Sequence, residues 1–308
     1  MLILNDSALI IATQPSFTML DLTHWPFEDR RHIIGVFTDI DDTLTTHGAI
    51  TPDALHALAQ LKAAGLHVIP ITGRPVGWSE PFARDWPVNA LVAENGAVAL
   101  VRQAGDSPHP SPPPGGEGTD TRALSPLSAL SGGQLLKLYQ QNLSTRTANF
   151  ARMQQVAQRV LRELPNARLA QDSAGRETDI AIDHSEFTHL APAHIAQVVQ
   201  IMQSEGMNAT VSSIHINGWF GAHHKLAGAS WIVRELLGRE LDAEIQHWVY
   251  VGDSTNDQLM FEHFPHSVGV ANIRRFEAEL THQPRYITQG ERGAGFAEVA
   301  RALLDARH

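Results

Sequence analysis

The stretch Phe37-Thr38-Asp39-Ile40-Asp41-Asp42-Thr43 constrains the fold of this chain more than any other. The run Ile33-Ile34-Gly35-Val36 before it is apolar with β-branched residues, and reads as a buried strand. The acids begin where that run stops. Side chains alternate along an extended strand, so Asp39 and Asp41 point to one side. Two carboxylates together at the end of a buried strand repel each other and lose hydration. A divalent cation removes that conflict. The plain alternative is a polar turn, with Asp42 as turn former or helix cap.

The same punctuation recurs downstream. Thr51-Pro52 opens a helix, with Ala54, Leu55, Leu58, Leu61 and Ala64 at helical spacing and Gly65 closing it. Residues 66–71 read as a strand that ends in Thr72-Gly73-Arg74-Pro75. Strands near 90–92, ending in Glu94-Asn95-Gly96, and at 97–101 complete the rhythm of a parallel sheet covered by helices. From about 147 to 213 the order changes to helix, strand, strand, helix, strand, strand, which predicts a small open-faced α+β unit. Residues 178–183 and 213–217 alternate, so the isoleucines of each strand should face the two helices. Asp179, Asp183 and His215 should then look down on the core crevice, as the candidate contacts to the non-reacting part of a substrate. The first rhythm returns at Lys225, with a helix to Leu237 stopped by Gly238. A strand at 247–251 follows and ends in Gly252-Asp253-Ser254-Thr255-Asn256-Asp257.

The expected fold is therefore α/β: a Rossmann-like parallel-sheet core with an inserted α+β cap. Residues 1–102 form the first part of the core, with 1–30 an N-terminal extension; 103–217 form the cap; and 218–308 complete the core. Residues 103–133 are rich in Pro, Gly and Ser without hydrophobic periodicity, and read as a disordered loop. The N-terminal residues are apolar but lack a basic lead and carry Asp6, a poor signal peptide, and no run reaches transmembrane length. The chain has no cysteine, which excludes thiolate metal sites and disulfides. A net charge of -10 speaks against nucleic acid or an anionic membrane as partner. The expected location is cytoplasmic.

Asp39, Asp41, Thr72, Gly73, Lys225 and Asp253 all lie at a strand end or a helix start. In an open α/β sheet the ligand crevice lies at that edge. Their types suit phosphoryl transfer. Asp39 is the candidate nucleophile. Asp41 is the candidate acid and base. Asp253 completes an oxygen-rich magnesium site with Asp39, to which Asp41 and Asp257 are added as candidate ligands. Thr72, the Gly73 amide, Lys225 and Asn256 are the candidate phosphate contacts. Arg74 reads equally as a structural ion pair or a substrate contact. His215, His223 and His224 do not make a transition-metal site, because adjacent histidines do not face one way on a helix. No GxxxxGK[ST] or GxGxxG supports a nucleotide cofactor.

Asp39-Ile40-Asp41-Asp42-Thr43 resembles the DxDxT motif of the haloacid-dehalogenase-like (HAD) superfamily. Thr72 resembles its second motif, Lys225 its third, and the run 252–257 its fourth, GDxxND. Glu94-Asn95-Gly96-Ala97 and the order of the inserted unit resemble the subgroup with a type IIB cap, which includes phosphatases of sucrose, trehalose and mannosyl-glycerate phosphates and also phosphomannomutases. The resemblance implies required Mg2+, an aspartyl-phosphate intermediate and a small phosphorylated metabolite, most plausibly a sugar phosphate, as substrate. A phosphomutase is the rival enzyme. A non-enzymatic phospho-acceptor domain is the rival of another class, but it has no use for an inserted cap.

Overall fold

In this computed structural model, residues 18–103 and 134–307 are described. The loop expected at 103–133 thus lies almost wholly outside them, as do residues 1–17.

The first described segment was expected to be a loose extension, and it is instead built into the core. β1 (Leu20–Asp21) pairs with the last strand of the sheet, and Trp25 is fully buried with its ring stacked 5.6 Å from Tyr286. A short helix, α1 (Phe27–Arg31), leads to β2 (Gly35–Thr38), buried along its whole length. The hairpin β3 (Thr45–Thr46) and β4 (Ala49–Ile50) follows. α2 (Pro52–Ala63) starts with proline in its first turn and buries Ala54, Leu58 and Leu61 of the predicted stripe, with Ala57 in place of Leu55, which is exposed. β5 (His67–Pro70) and α3 (Val76–Asp85) complete this unit.

The next two strands depart from the parallel rhythm. β6 (Leu91–Ala93) reaches the main sheet only through one parallel bridge, Val92 to Ile71, and β7 (Val98–Arg102) runs back antiparallel to it. The reversal is made by Glu94, Asn95 and Gly96, with φ of 48°, 54° and 104°. A Cβ on Gly96 would stand 2.4 Å from the His224 carbonyl oxygen, so only glycine fits this close approach. β8 (Leu135–Tyr139) pairs with β7 and not with the cap sheet. On that pairing we place the start of the cap after Tyr139.

The cap runs through α4 (Leu143–Glu163), β9 (Arg168–Leu169), β10 (Ile180–Asp183), α5 (Pro192–Ser204), β11 (Asn208–Val211) and β12 (His215–Trp219). Its antiparallel sheet has the order β11-β12-β10-β9. Ile180, Ile182 and Ile216 pack against Met153, Val156 and Val160 of α4 and Val198 and Met202 of α5, as the alternation requires. Ile214 was expected on the same face. It sits in the turn before β12 and lines the crevice below the cap instead.

The core resumes with α6 (Lys225–Leu237), closed by Gly238 at φ 62°. β13 (Trp248–Gly252), α7 (Gln258–His263), β14 (His266–Gly269), β15 (Tyr286–Ile287) and α8 (Arg292–Asp305) follow. The six-stranded parallel sheet has the order β1-β15-β14-β13-β2-β5. α2 and α8 cover one face, and α6 and α7 cover the other. The chain leaves β2 toward β5 and later returns to β13 on the other side of β2. The crevice therefore opens between the ends of β2 and β13.

Candidate active site

Asp39 follows β2 and Asp253 follows β13, so adjacent strands deliver both carboxylates to the switch point. Lys225 enters from the first turn of α6. Its Nζ donates to Asp39 Oδ1 at 2.7 Å and to Asp257 Oδ1 at 2.6 Å. Carboxylate oxygens of Asp39, Asp253 and Asp257 lie within 4.8 Å of one another, all buried. Burial pushes the Asp39 carboxyl above its ordinary range, against the pull of Lys225. Asp253 is pushed well up too, first by burial and then by Asp39 and Asp257. One ammonium facing three buried carboxylates leaves negative charge that a divalent cation would neutralise, and the all-oxygen donor set suits a hard cation.

Asp257 has less to give a metal than the others. Its Oδ1 accepts from Lys225 and from the Tyr250 hydroxyl, and its Oδ2 accepts from the amides of Asp253 (3.0 Å) and Ser254 (3.2 Å). Gly252 makes room for it, since a Cβ there would lie 2.4 Å from Asp257 Oδ2. Asp253 is held by the Asn272 amide at 3.1 Å and faces the Thr43 hydroxyl at 3.4 Å. Sequence reasoning passed over Tyr250 and Asn272. Tyr250 sits inside a strand that reads as apolar. Asn272 was findable, because it lies three residues past the end of β14, at the same edge of the sheet.

Asp41, grouped with the metal ligands above, has its carboxylate in the fork of Arg74. Nε lies 3.1 and 3.0 Å from its two oxygens, and Nη2 lies 2.9 Å from Oδ1. The same guanidinium reaches the cap, with Nη1 3.1 Å from Asp172 and Nη2 2.8 Å from Glu186. His215 Nε2 lies 2.8 Å from the other Glu186 oxygen. Burial pushes Glu186 up, but hydrogen bonds from His215 and Arg74 outweigh it and bring the carboxyl to about 2.

The other two cap acids are used elsewhere. Asp179 is fully buried against Arg176 (2.8 and 2.9 Å) and Asn217 (3.0 Å), and burial raises its carboxyl to about 7 despite Arg176. Asp183 accepts four backbone amides, from Ser185, Glu186, Phe187 and Thr188, at 2.9–3.1 Å. This saturates its carboxylate and shapes the turn that presents Glu186. Of the three predicted cap residues, only His215 lines the crevice. Glu186 was missed, although an acid three residues past a strand-end aspartate is a readable signal of such a turn.

Thr72, Gly73, His215, Asn217 and Asn256 line the crevice with Asp39, Asp41 and Arg74. Thr72 Oγ1 accepts from the Arg74 amide at 3.0 Å, and the Gly73 carbonyl accepts from Arg176 and Asn217 of the cap. Glu94 is another tie. Its buried carboxylate accepts from the amides of Val76, Glu177 and Thr178. So fastened, the crevice encloses about 10 Å3, roughly the room of one water.

Residues 36–108 match the family of haloacid dehalogenase-like hydrolases. That span carries the DxDxT and Thr72 motifs, and the resemblance they suggested stands on it. Solved structures share the fold over nearly their whole length. A Thermoplasma acidophilum protein is 15% identical, with 88% of this chain and 98% of that one covered and a TM-score of 0.60. The sucrose-phosphatase of Synechocystis sp. PCC6803, solved with sucrose and phosphate, is 14% identical, with 89% and 98% covered and a TM-score of 0.57. A sugar phosphatase of HAD subclass IIB is 14% identical, with 88% and 98% covered and a TM-score of 0.53. No curated protein matches the chain in sequence. Among the described residues, no helix is long and apolar enough to cross a membrane.

Proposed function

We propose that the chain is a magnesium-dependent phosphatase of a small phosphorylated metabolite, with a sugar phosphate as substrate. The observation that carries this reading is the buried Asp39–Lys225–Asp257–Asp253 cluster at the switch point, under a cap lined with hydrogen-bonding groups. Asp39 attacks phosphorus and forms an aspartyl phosphate, while Asp41 gives a proton to the departing sugar oxygen. Asp41 then takes a proton from water, whose oxygen attacks phosphorus, and phosphate leaves with Asp39 restored. Thr72 and the Gly73 amide, near the N-terminus of α3, hold the phosphate oxygens, as does Lys225. Asp39 and Asp253 would hold Mg2+, which adds positive charge against the developing phosphate charge. His215 and Glu186 meet the sugar, which makes them candidates for selectivity. The location proposed is the cytoplasm.

The test is phosphate release from a panel of sugar and polyol phosphates, with and without chelator. Sustained release that stops with chelator and returns with Mg2+ is expected. Full activity in excess chelator would contradict the metal assignment, and transfer of phosphate to a second sugar hydroxyl in place of release would make the protein a mutase.

A further inference from the structure

The loop Thr72-Gly73-Arg74 is held once from the core and once from the cap, and each hold acts through a peptide plane. A peptide unit is flat, so fixing its carbonyl on one edge aims the N–H on the other edge the opposite way. The Thr72 carbonyl accepts from the Asn95 amide of the core at 2.9 Å. The Gly73 N–H of the same plane is thereby aimed away from that amide, and it has no partner among the described residues.

The next plane is held from the cap. The Gly73 carbonyl accepts from Arg176 Nη1 at 3.0 Å and from Asn217 Nδ2 at 3.2 Å. The opposite edge of that plane carries the Arg74 N–H, which donates to Thr72 Oγ1 at 3.0 Å. This bond takes up a lone pair of the hydroxyl and leaves its proton to donate elsewhere. The two cap donors are themselves fixed. Asn217 is 2% exposed and Arg176 5%, and both donate to the buried Asp179 carboxylate. The contact is also close. A Cβ on Gly73 would stand 3.2 Å from Asn95 Oδ1 and 3.3 Å from Asn217 Oδ1, so both side-chain amides pack against this residue.

We infer that Asn217 and Arg176 are positioning residues for phosphate binding. They set the Gly73–Arg74 peptide from the cap, and through the Arg74 N–H they set the Thr72 hydroxyl that lines the crevice. The inference rests on the proposal that Thr72 and the Gly73 amide hold phosphate. It goes beyond that proposal in giving the cap a part in binding the group that reacts, besides its contact with the sugar. The coupling runs both ways, so bound phosphate also tightens the hold of the cap on this loop.

Binding of inorganic phosphate tests this without a sugar and without turnover. The full chain is titrated with phosphate in the presence of Mg2+ and followed by phosphorus NMR, well below the melting midpoint of each variant. Asn217→Ala removes one donor. Arg176→Lys keeps a cation beside Asp179 and loses the fork, and Thr72→Val tests the loop itself. All three should bind phosphate at least about tenfold more weakly than the parent. KM for a small aromatic phosphate should rise in Asn217→Ala and Arg176→Lys as well. A residue that only touched the sugar, or only supported the fold, would leave both readings unchanged. If Asn217→Ala and Arg176→Lys bind phosphate like the parent while Thr72→Val does not, the inference is overturned and the phosphate loop stands. If the parent binds no phosphate, or Thr72→Val binds it like the parent, the phosphate loop is lost and the inference with it.

Discussion

Two acid-rich clusters meet in this molecule, and they are solved in opposite ways. At the core–cap boundary, Asp41, Asp172, Asp179 and Glu186 each touch a guanidinium of Arg74 or Arg176. At the sheet edge, Asp39 and Asp257 share one ammonium, and among the described residues Asp253 has only an amide and a hydroxyl. The boundary has supplied its own cations and holds two parts of the chain together. The sheet edge is left short of positive charge, which is the state a cation-binding centre has before its ion arrives. The clusters are alike in composition and differ in whether the charge is closed internally.

The contrast can be broken at its strongest point first. Asp39→Asn keeps the shape and removes the proposed attacking anion, so kcat should fall by at least about 10^4-fold while the fold persists. Appreciable turnover by a folded variant would take Asp39 out of the role of nucleophile. At the boundary, Arg74→Ala leaves Asp41 and Glu186 without their fork. Breaking a buried pair costs about 3–5 kcal/mol, so urea unfolding should show a loss of that order. An unchanged midpoint would mean that the boundary is held by Glu94 and Arg176 alone.

His223 is the limiting case, a buried polar group whose ring nitrogens have no partner among the described residues, stacked on Trp219 in the return from cap to core. Burial, and then the neighbouring His224, hold its pKa down at about 4. Between pH 6.5 and 4 the unfolded chain binds this proton and the folded chain does not. The contribution is thus full above pH 6.5 and lost as pH falls toward 4, by up to about 3 kcal/mol. His223→Phe should flatten that part of the pH–stability curve, and parallel curves would show that the ring is not buried neutral.

The smallest effect sharpens the comparison most, because its sign differs between the clusters. In chelator, Asp253→Asn removes repulsion and should leave Tm equal or higher. Asp179→Asn strips Arg176 of its main partner and should lower stability by about 1–2 kcal/mol. Movement of both in one direction would erase the distinction.

Much of the sheet-edge cluster was readable because its residues are fixed by local rules. A strand ends, an acid follows, and topology carries Asp39, Thr72, Lys225 and Asp253 to one edge. The boundary cluster was not readable in that way. Arg74 meets Asp172 and Glu186 across 98 and 112 residues, and nothing local to Arg74 names its partners. Alternation put Ile180, Ile182 and Ile216 against the cap helices, but for Asp179 and Asp183 the side opposite them is not the same as being free. Arg176 and four backbone amides had already taken those oxygens. The fold shows the same division. Helix spans followed from periodicity, while β8 and the Trp25 segment depend on pairing with distant strands.

The room for about one water in the crevice sets a clock for this protein. The phosphate ester proposed as substrate is larger than the room left in the fastened form. On the proposed function, molecules in which the Arg74 bridge has parted would be the ones that take substrate, and their fraction would scale the apparent affinity. Association would then be paced by how often the bridge opens, below the rate of collision, and product would leave by the same opening. An inhibitor shaped for the parted form would accordingly be slow in arrival, and slow in departure once the Arg74 fork had closed over it.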